Sequence, residues 1–160
     1  MAAVRPIPEG MHTLTPNLVL RGAAQAIEFY KRALGAQEVS RMPAPDGKSI
    51  WHAALRVGDS TIFLNDEMPG MGMGAPSANA PVPVTMWLYV PDTDAAFKRA
   101  VDAGAKPTMP PADMFWGDRC AGVADPFGYV WSFATRQKDL SPEEMRRAGE
   151  EFARSQGASR

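Results

Sequence analysis

Apolar positions recur along this chain at two different periods, and the switches between them mark out its elements. Residues 13–20 alternate, with Leu14, Leu18 and Leu20 against Thr15, Asn17 and Val19, which predicts a strand. From 23 to 34 the spacing is helical. Ala23, Ile27, Tyr30 and Leu34 share one face, and Gly35 stands where a helix stops. Strand patterning returns at 37–42, 49–57 and 61–65, broken by the turn signals Pro43-Ala44-Pro45-Asp46-Gly47 and Gly58-Asp59-Ser60. In the middle strand of the three, Trp51, Ala53, Leu55 and Val57 make an apolar face, and His52 and Arg56 lie on the other.

The pattern then lapses and starts again. Residues 67–83 have no periodicity and are dense in Gly, Pro and Met, which predicts a flexible linker. Gly70, Gly72 and Gly74 do not make a phosphate loop, because no strand leads straight into them and Pro76 stands where the helix would have to begin. Residues 84–90 alternate, with Thr85, Trp87 and Tyr89 on one face. Asp92 is placed to cap a helix whose Phe97, Ala100 and Val101 face inward, and Gly104 ends it. Leu34-Gly35-Ala36 and Ala103-Gly104-Ala105 are 69 positions apart, and Thr15 and Thr85 are 70 apart. Each half therefore reads strand–helix–strand–strand–strand.

The second half closes on its most distinctive stretch. Phe115 and Trp116 fall in a loop between Pro110-Pro111 and Gly117. Asp125-Pro126-Phe127-Gly128 suits a type I turn. Tyr129, Trp131 and Phe133 then alternate with Val130, Ser132 and Ala134, so the large residues face the helices and the small ones face away. Ser141, Pro142 and Glu144 spell a capped helix start, and Met145, Ala148 and Phe152 give that tail helix a narrow apolar stripe. The expected division is a single domain over 1–140, with modules at about 12–66 and 84–135 around the linker 67–83, and an appended helix over 141–156.

Composition narrows the function classes. The 160 residues carry a formal net charge of −1 with a pI of about 6.1, so no basic face is offered to nucleic acid. A single cysteine, Cys120, excludes an intramolecular disulfide and a thiolate metal cluster and fits a reducing compartment. The opening residues lack the apolar core of a secretory leader, and no run approaches the ~18 residues of a membrane span. The expectation is a cytoplasmic protein without membrane or nucleic-acid partners. Five of the ten methionines lie in the Pro/Gly-rich segments, which suits an adaptable apolar surface or, equally, a linker.

Four stretches carry a family resemblance: LTPNLVLRGAAQAIEFYKRALGA (14–36), HAALRVGDSTIFLND (52–66), LYVPDTDAAFKRAVDAGA (88–105) and FWGDR…DPFGYVWSFAT (115–135). In them the chain resembles the glyoxalase/bleomycin-resistance/extradiol-dioxygenase (vicinal oxygen chelate) superfamily, and more narrowly its PhnB-like branch. The resemblance implies an α+β fold of two tandem βαβββ modules forming a cupped, barrel-like mixed sheet with helices outside. It also implies a homodimer that holds a small organic molecule in the groove. Metal-dependent relatives place ligands on the first and last strands of each module, which correspond here to Thr15, Phe63 or Asn65, Thr85 and Ser132. None is His or Glu, and neutral hydroxyls compensate a divalent ion poorly. No metal and no cofactor are therefore expected, and the metal-assisted isomerisation or ring cleavage of those relatives loses its support.

Seven residues are the candidate ligand contacts: Thr15, His52, Trp87, Tyr89, Trp116, Arg119 and Ser132. His52 is the one weak candidate for proton transfer. Trp87 and Tyr89 suit a flat molecule, while Arg119 offers a fork to an anionic group. Asp118 and Arg119 could equally pin their loop. Cys120 has no adjacent base to make it a nucleophile. Two other functions stay open: a metal-dependent lyase, isomerase or dioxygenase using His52 with Asp66 or Glu67, and a non-catalytic interaction or regulatory domain. A methyltransferase is not expected, since no glycine loop joins a strand to a helix.

Overall fold

The computed structural model describes residues 5–77, 80 and 82–157. Residues 1–4, on which part of the leader reading falls, and positions 78, 79 and 81 of the linker lie outside the described residues. The elements run β1 (Asn17–Leu20), α1 (Ala23–Leu34), β2 (Gln37–Pro43), β3 (Ile50–Val57), β4 (Ser60–Asp66), β5 (Thr85–Tyr89), α2 (Thr93–Asp102), β6 (Lys106–Asp113), β7 (Asp118–Ala124), β8 (Val130–Arg136) and α3 (Pro142–Gly157). They form two compact units: the chain up to Pro83 with Pro126–Gly128, and Val84–Asp125 with Tyr129 onward.

Each unit holds one four-stranded mixed sheet, in the orders β1-β4-β3-β2 and β5-β8-β7-β6. Strands one and four of each module pair in parallel, and the remaining pairs are antiparallel. The expected tandem βαβββ arrangement is present, but among the described strands the two sheets are not closed into a barrel.

In the first unit α1 lies against all four strands. Its stripe of Ala23, Ala26, Ile27, Tyr30 and Leu34 is buried with Leu18, Leu20, Leu55 and Leu64 of the sheet. Burial of this alternating set is the main favourable term holding helix to sheet. β1 begins at Asn17 rather than 13. Pro16 cannot donate to a ladder, its carbonyl accepts from the Phe63 N–H at 2.8 Å, and Leu14 is left 84% exposed. Gly22 precedes α1 without a side-chain cap; instead Asp66, at the end of β4, accepts from the Gly22 and Ala23 N–H groups at 2.9 and 2.8 Å. The same carboxylate accepts from the Ile50 N–H at 2.7 Å, so one residue ties helix start, β3 and β4 together.

Where described, the 67–83 segment is not a free linker. Met68 and Met73 exchange backbone hydrogen bonds around a single 3-10 turn at Pro69–Met71. Glu67 accepts from the Ala75 N–H at 3.3 Å and from Arg21 Nε at 3.0 Å, fastening the loop to the end of β1. The Phe127 ring belongs to this unit and meets Phe29 and Tyr30 with centroids 5.8 and 6.0 Å apart.

In the second unit α2 is capped by Asp92, whose carboxylate accepts from the Ala95 N–H at 3.0 Å. Trp131 and Phe133 are buried, as their alternation predicts, together with Ala96 and Ala100 of α2. The prolines at 107, 110 and 111 lie inside β6; it is an edge strand and its ladder is broken by register shifts, the places where a sheet tolerates proline. α3 opens on the expected capping box: Ser141 N–H and hydroxyl both reach Glu144 at 2.8 and 2.6 Å, and the Glu144 N–H returns to Ser141 Oγ at 3.3 Å.

The β7–β8 connection is organised by Asp125. Its N–H donates to the Tyr129 carbonyl at 2.9 Å, its Oδ1 accepts from the Tyr129 N–H at 3.0 Å, and its Oδ2 accepts from the Trp131 indole at 2.8 Å. Asp125→Ala removes a buried, charge-assisted acceptor from two donors and is expected to cost about 2–3 kcal/mol, measured as a lowered urea midpoint at unchanged slope.

Candidate ligand-binding face

With one helix to a sheet, alternation leaves one face of each sheet uncovered by that helix. In the first sheet the register places Phe63 beside Asn17 and Ala54, so His52, Ala54, Arg56, Phe63 and Asn65 are on the face opposite Leu55 and Leu64. His52 packs edge-on to Phe63, ring centroids 4.7 Å apart. The Asn65 amide is fully engaged: its Oδ1 accepts from Asn17 at 2.9 Å and its Nδ2 donates to the Asp66 carbonyl at 2.8 Å. Thr15 lies before β1, with its hydroxyl 3.5 Å from the His12 carbonyl.

In the second sheet the pairs Trp87–Ser132, Tyr89–Ala134, Ser132–Gly122 and Ala134–Cys120 put these residues on the face opposite Trp131 and Phe133. Trp87 and Tyr89 are 47% and 63% exposed, beside a floor of Gly122, Cys120, Ser132 and Ala134. The floor is thin for a reason. A Cβ at Gly122 would come within 2.7 Å of Thr108 Oγ1 and 3.5 Å of Met109 Cβ, so the irregular edge strand leaves room for hydrogen alone. Cys120 is buried there, and burial followed by the nearby charge of Asp118 pushes its thiol up from the ordinary value.

Phe115 and Trp116 form the tip of the β6–β7 hairpin, closed by Met114 and Gly117. Gly117 has φ +96°, and a side chain there would also meet the Lys138 carbonyl at 2.7 Å. The Trp116 indole donates to Asp118 Oδ2 at 3.2 Å, and the Tyr89 hydroxyl donates to the same oxygen at 3.1 Å. Asp118 is 2% exposed and ion-paired to Arg136 Nε at 3.6 Å. Phe115 packs edge-on to Trp116 and stacks on Phe152 of α3, each pair with centroids 5.1 Å apart.

Of the seven residues expected from sequence, Trp87, Tyr89 and Ser132 share this face and Trp116 is linked to it through Asp118. Thr15 and His52 belong to the first unit. Arg119 is a correction. Its register partner is Thr135, which puts it on the α2 side of the sheet, and there its guanidinium pairs with Asp94 of α2 and with Asp113 at 2.9 Å. Both carboxylates already fill the fork that an anionic ligand would need. The Arg119 hydrogen bonds hold the Asp94 carboxyl below the usual carboxylate range. Asp118, which sequence reasoning weighed only as a loop pin, is the central acceptor. Starting β7 at 118 would have revealed this, since alternation from Cys120 puts Asp118 inward with it and Arg119 on the reverse.

The metal positions of the wider family do not fit a divalent ion here. Phe63 has no donor atom, Asn65 is engaged, and Thr15, Thr85 and Ser132 are neutral hydroxyls. The relocated set fares no better: both Asp66 oxygens hold backbone N–H groups, and Glu67 is occupied by Arg21 and Ala75. Among the described residues no three His, Cys, Asp or Glu side chains converge.

Two βαβββ modules, each with a parallel outer pair and one covering helix, define the tandem-module class of vicinal oxygen chelate folds. Residues 11–133 match the sequence model of the Glyoxalase/Bleomycin resistance protein/Dioxygenase superfamily, and the chain belongs to that superfamily. An uncharacterised protein of Mycobacterium bovis is 45% identical over 138 residues, covering 84% of this chain and 90% of the relative. Among solved structures, TioX from Micromonospora sp. ML1 is similar at 26% identity and TM-score 0.62, over 78% of this chain and 98% of that one. A gene product of Arabidopsis thaliana is similar at 27% identity and TM-score 0.62, with the same coverage.

Two outcomes follow from this geometry. The Cys120 thiol is expected to resist Ellman's reagent at pH 8 in the native protein and to react at once in denaturant; native labelling would contradict its burial. Because Asp94 is held low, the Arg119 pair contributes fully above the ordinary carboxylate pKa and is lost as pH falls through the lowered one. Arg119→Ala should therefore flatten the acid limb of a stability–pH profile measured by urea melts.

Proposed function

We propose that the protein is a PhnB-like, metal-free binder of a small, flat organic molecule, working as a homodimer that sequesters a drug or metabolite. The carrying observation is the pair of exposed aromatics, Trp87 and Tyr89, two residues apart on one sheet face beside a small-residue floor. Large apolar rings exposed to solvent signal contact with a ligand or partner. The ionisable groups near this face are tied to partners: Asp118 to Tyr89, Trp116 and Arg136, and Arg136 also to Asp139 at 3.0 Å. Such a face suits holding a molecule better than transforming it. Val84 and Trp87 of the second unit are both about half exposed in the single chain, which supports a second copy covering part of this unit.

A thermal-shift panel of planar aromatic compounds and antibiotics tests the reading. At least one compound should raise the melting temperature by mass action. Trp87→Ala should weaken that compound about tenfold or more, about 1.4 kcal/mol, while the unliganded melting temperature stays within a few degrees. Light scattering should give twice the chain mass. No shift with any compound would favour an interaction domain instead, and a stoichiometric divalent ion lost on His52→Ala would restore the metal-dependent enzyme.

A further inference from the structure

Asp118 gathers donors in an unusual way. Its Oδ2 accepts both the Tyr89 hydroxyl and the Trp116 indole N–H, yet its Oδ1 is buried with no hydrogen-bond partner and has only the ion pair with Arg136 at 3.6 Å. A buried carboxylate with an idle oxygen costs stability that an apolar residue of similar size would not. What the carboxylate supplies in return is direction. Paired with Arg136 it accepts only, so both of its neighbours must point their protons inward. The Trp116 N–H is thereby withdrawn from the face. Tyr89 keeps its ring and phenolic oxygen at a 63% exposed position, but that oxygen can now only accept.

We propose that Asp118 is a positioning residue that sets the donor–acceptor polarity of the ligand face, selecting planar molecules that carry a hydroxyl or N–H donor at the edge beside Tyr89. The inference rests on the binding reading above and adds the chemical class of its ligand. A donor satisfied by the Tyr89 oxygen is gained in full, whereas an ether or carbonyl brought against that oxygen meets a second acceptor.

The test compares 2-naphthol with 2-methoxynaphthalene, equal in ring system and different in the donor, by NMR-detected titration of the full chain. Wild type is expected to bind 2-naphthol about tenfold more tightly. Tyr89→Phe should abolish the preference while leaving 2-methoxynaphthalene within twofold. Asp118→Leu removes the acceptor, frees the Tyr89 hydroxyl to donate outward and should collapse the preference, again with 2-methoxynaphthalene little changed. A preference that persists in both variants overturns the proposal, and so does an Asp118→Leu variant that weakens both probes equally, the mark of a merely structural residue. If Asp118→Leu does not fold, Tyr89→Phe alone decides, and a preference kept there refutes the assignment. Wild type binding both probes equally refutes the polarity but not the binding face. Wild type binding neither removes the binding face and this inference with it.

Discussion

A single helix covers one face of each four-stranded sheet, and that constraint governs the rest of the molecule. Side chains in a strand alternate, so a sheet buried on one face by a helix necessarily presents a second set of residues on the other. In the first module the helix face is Leu18, Leu20, Leu55 and Leu64, and in the second it is Trp131, Phe133 and Val123. That second set is what each module leaves uncovered by its helix. The parallel pairing of the outer strands fixes which residues those are, because it places Trp87 against Ser132 and Asn17 against Phe63.

The faces so exposed are unequal. The first carries Ala54, Thr61 and Asn65, each at most 6% exposed, and the Asn65 amide is satisfied inside the module. The second carries Trp87 and Tyr89 in the open. The difference begins in sequence, since β5 puts aromatics where β1 has Asn17 and Val19.

The elements with strong periodicity were legible without a structure. α1 and its stop, the capped α2, the tail helix with its capping box, and the inward Trp131 and Phe133 all follow from spacing and from a few capping residues. What was hidden follows from physical features that spacing does not encode. Phe115, Trp116, Asp118 and Arg119 read as one loop, but β7 starts at Asp118, and alternation from there turns Arg119 to the α2 side of the sheet. Leu14 looked like a core position because the alternation ran through Pro16, which ends the ladder. The cap of α1 comes from Asp66, 43 residues away from the N–H it receives, so no local signal announces it. The segment after β4 read as unstructured because its order comes from Glu67, Arg21 and paired methionine backbones rather than from any period.

Three aspartates share a single physical role in this fold. Asp66, Asp118 and Asp125 each sit at a strand end and each accepts two or more donors from separate elements. Used in this way a carboxylate is a rigid knot: its oxygens hold donors from separate elements in a fixed geometry, and strand ends, loops and rings are tied to one another through it. Asp118 joins three parts of its module: the Tyr89 hydroxyl of β5 and the Trp116 indole of the hairpin tip both donate to it, and Arg136 of β8 is ion-paired with it.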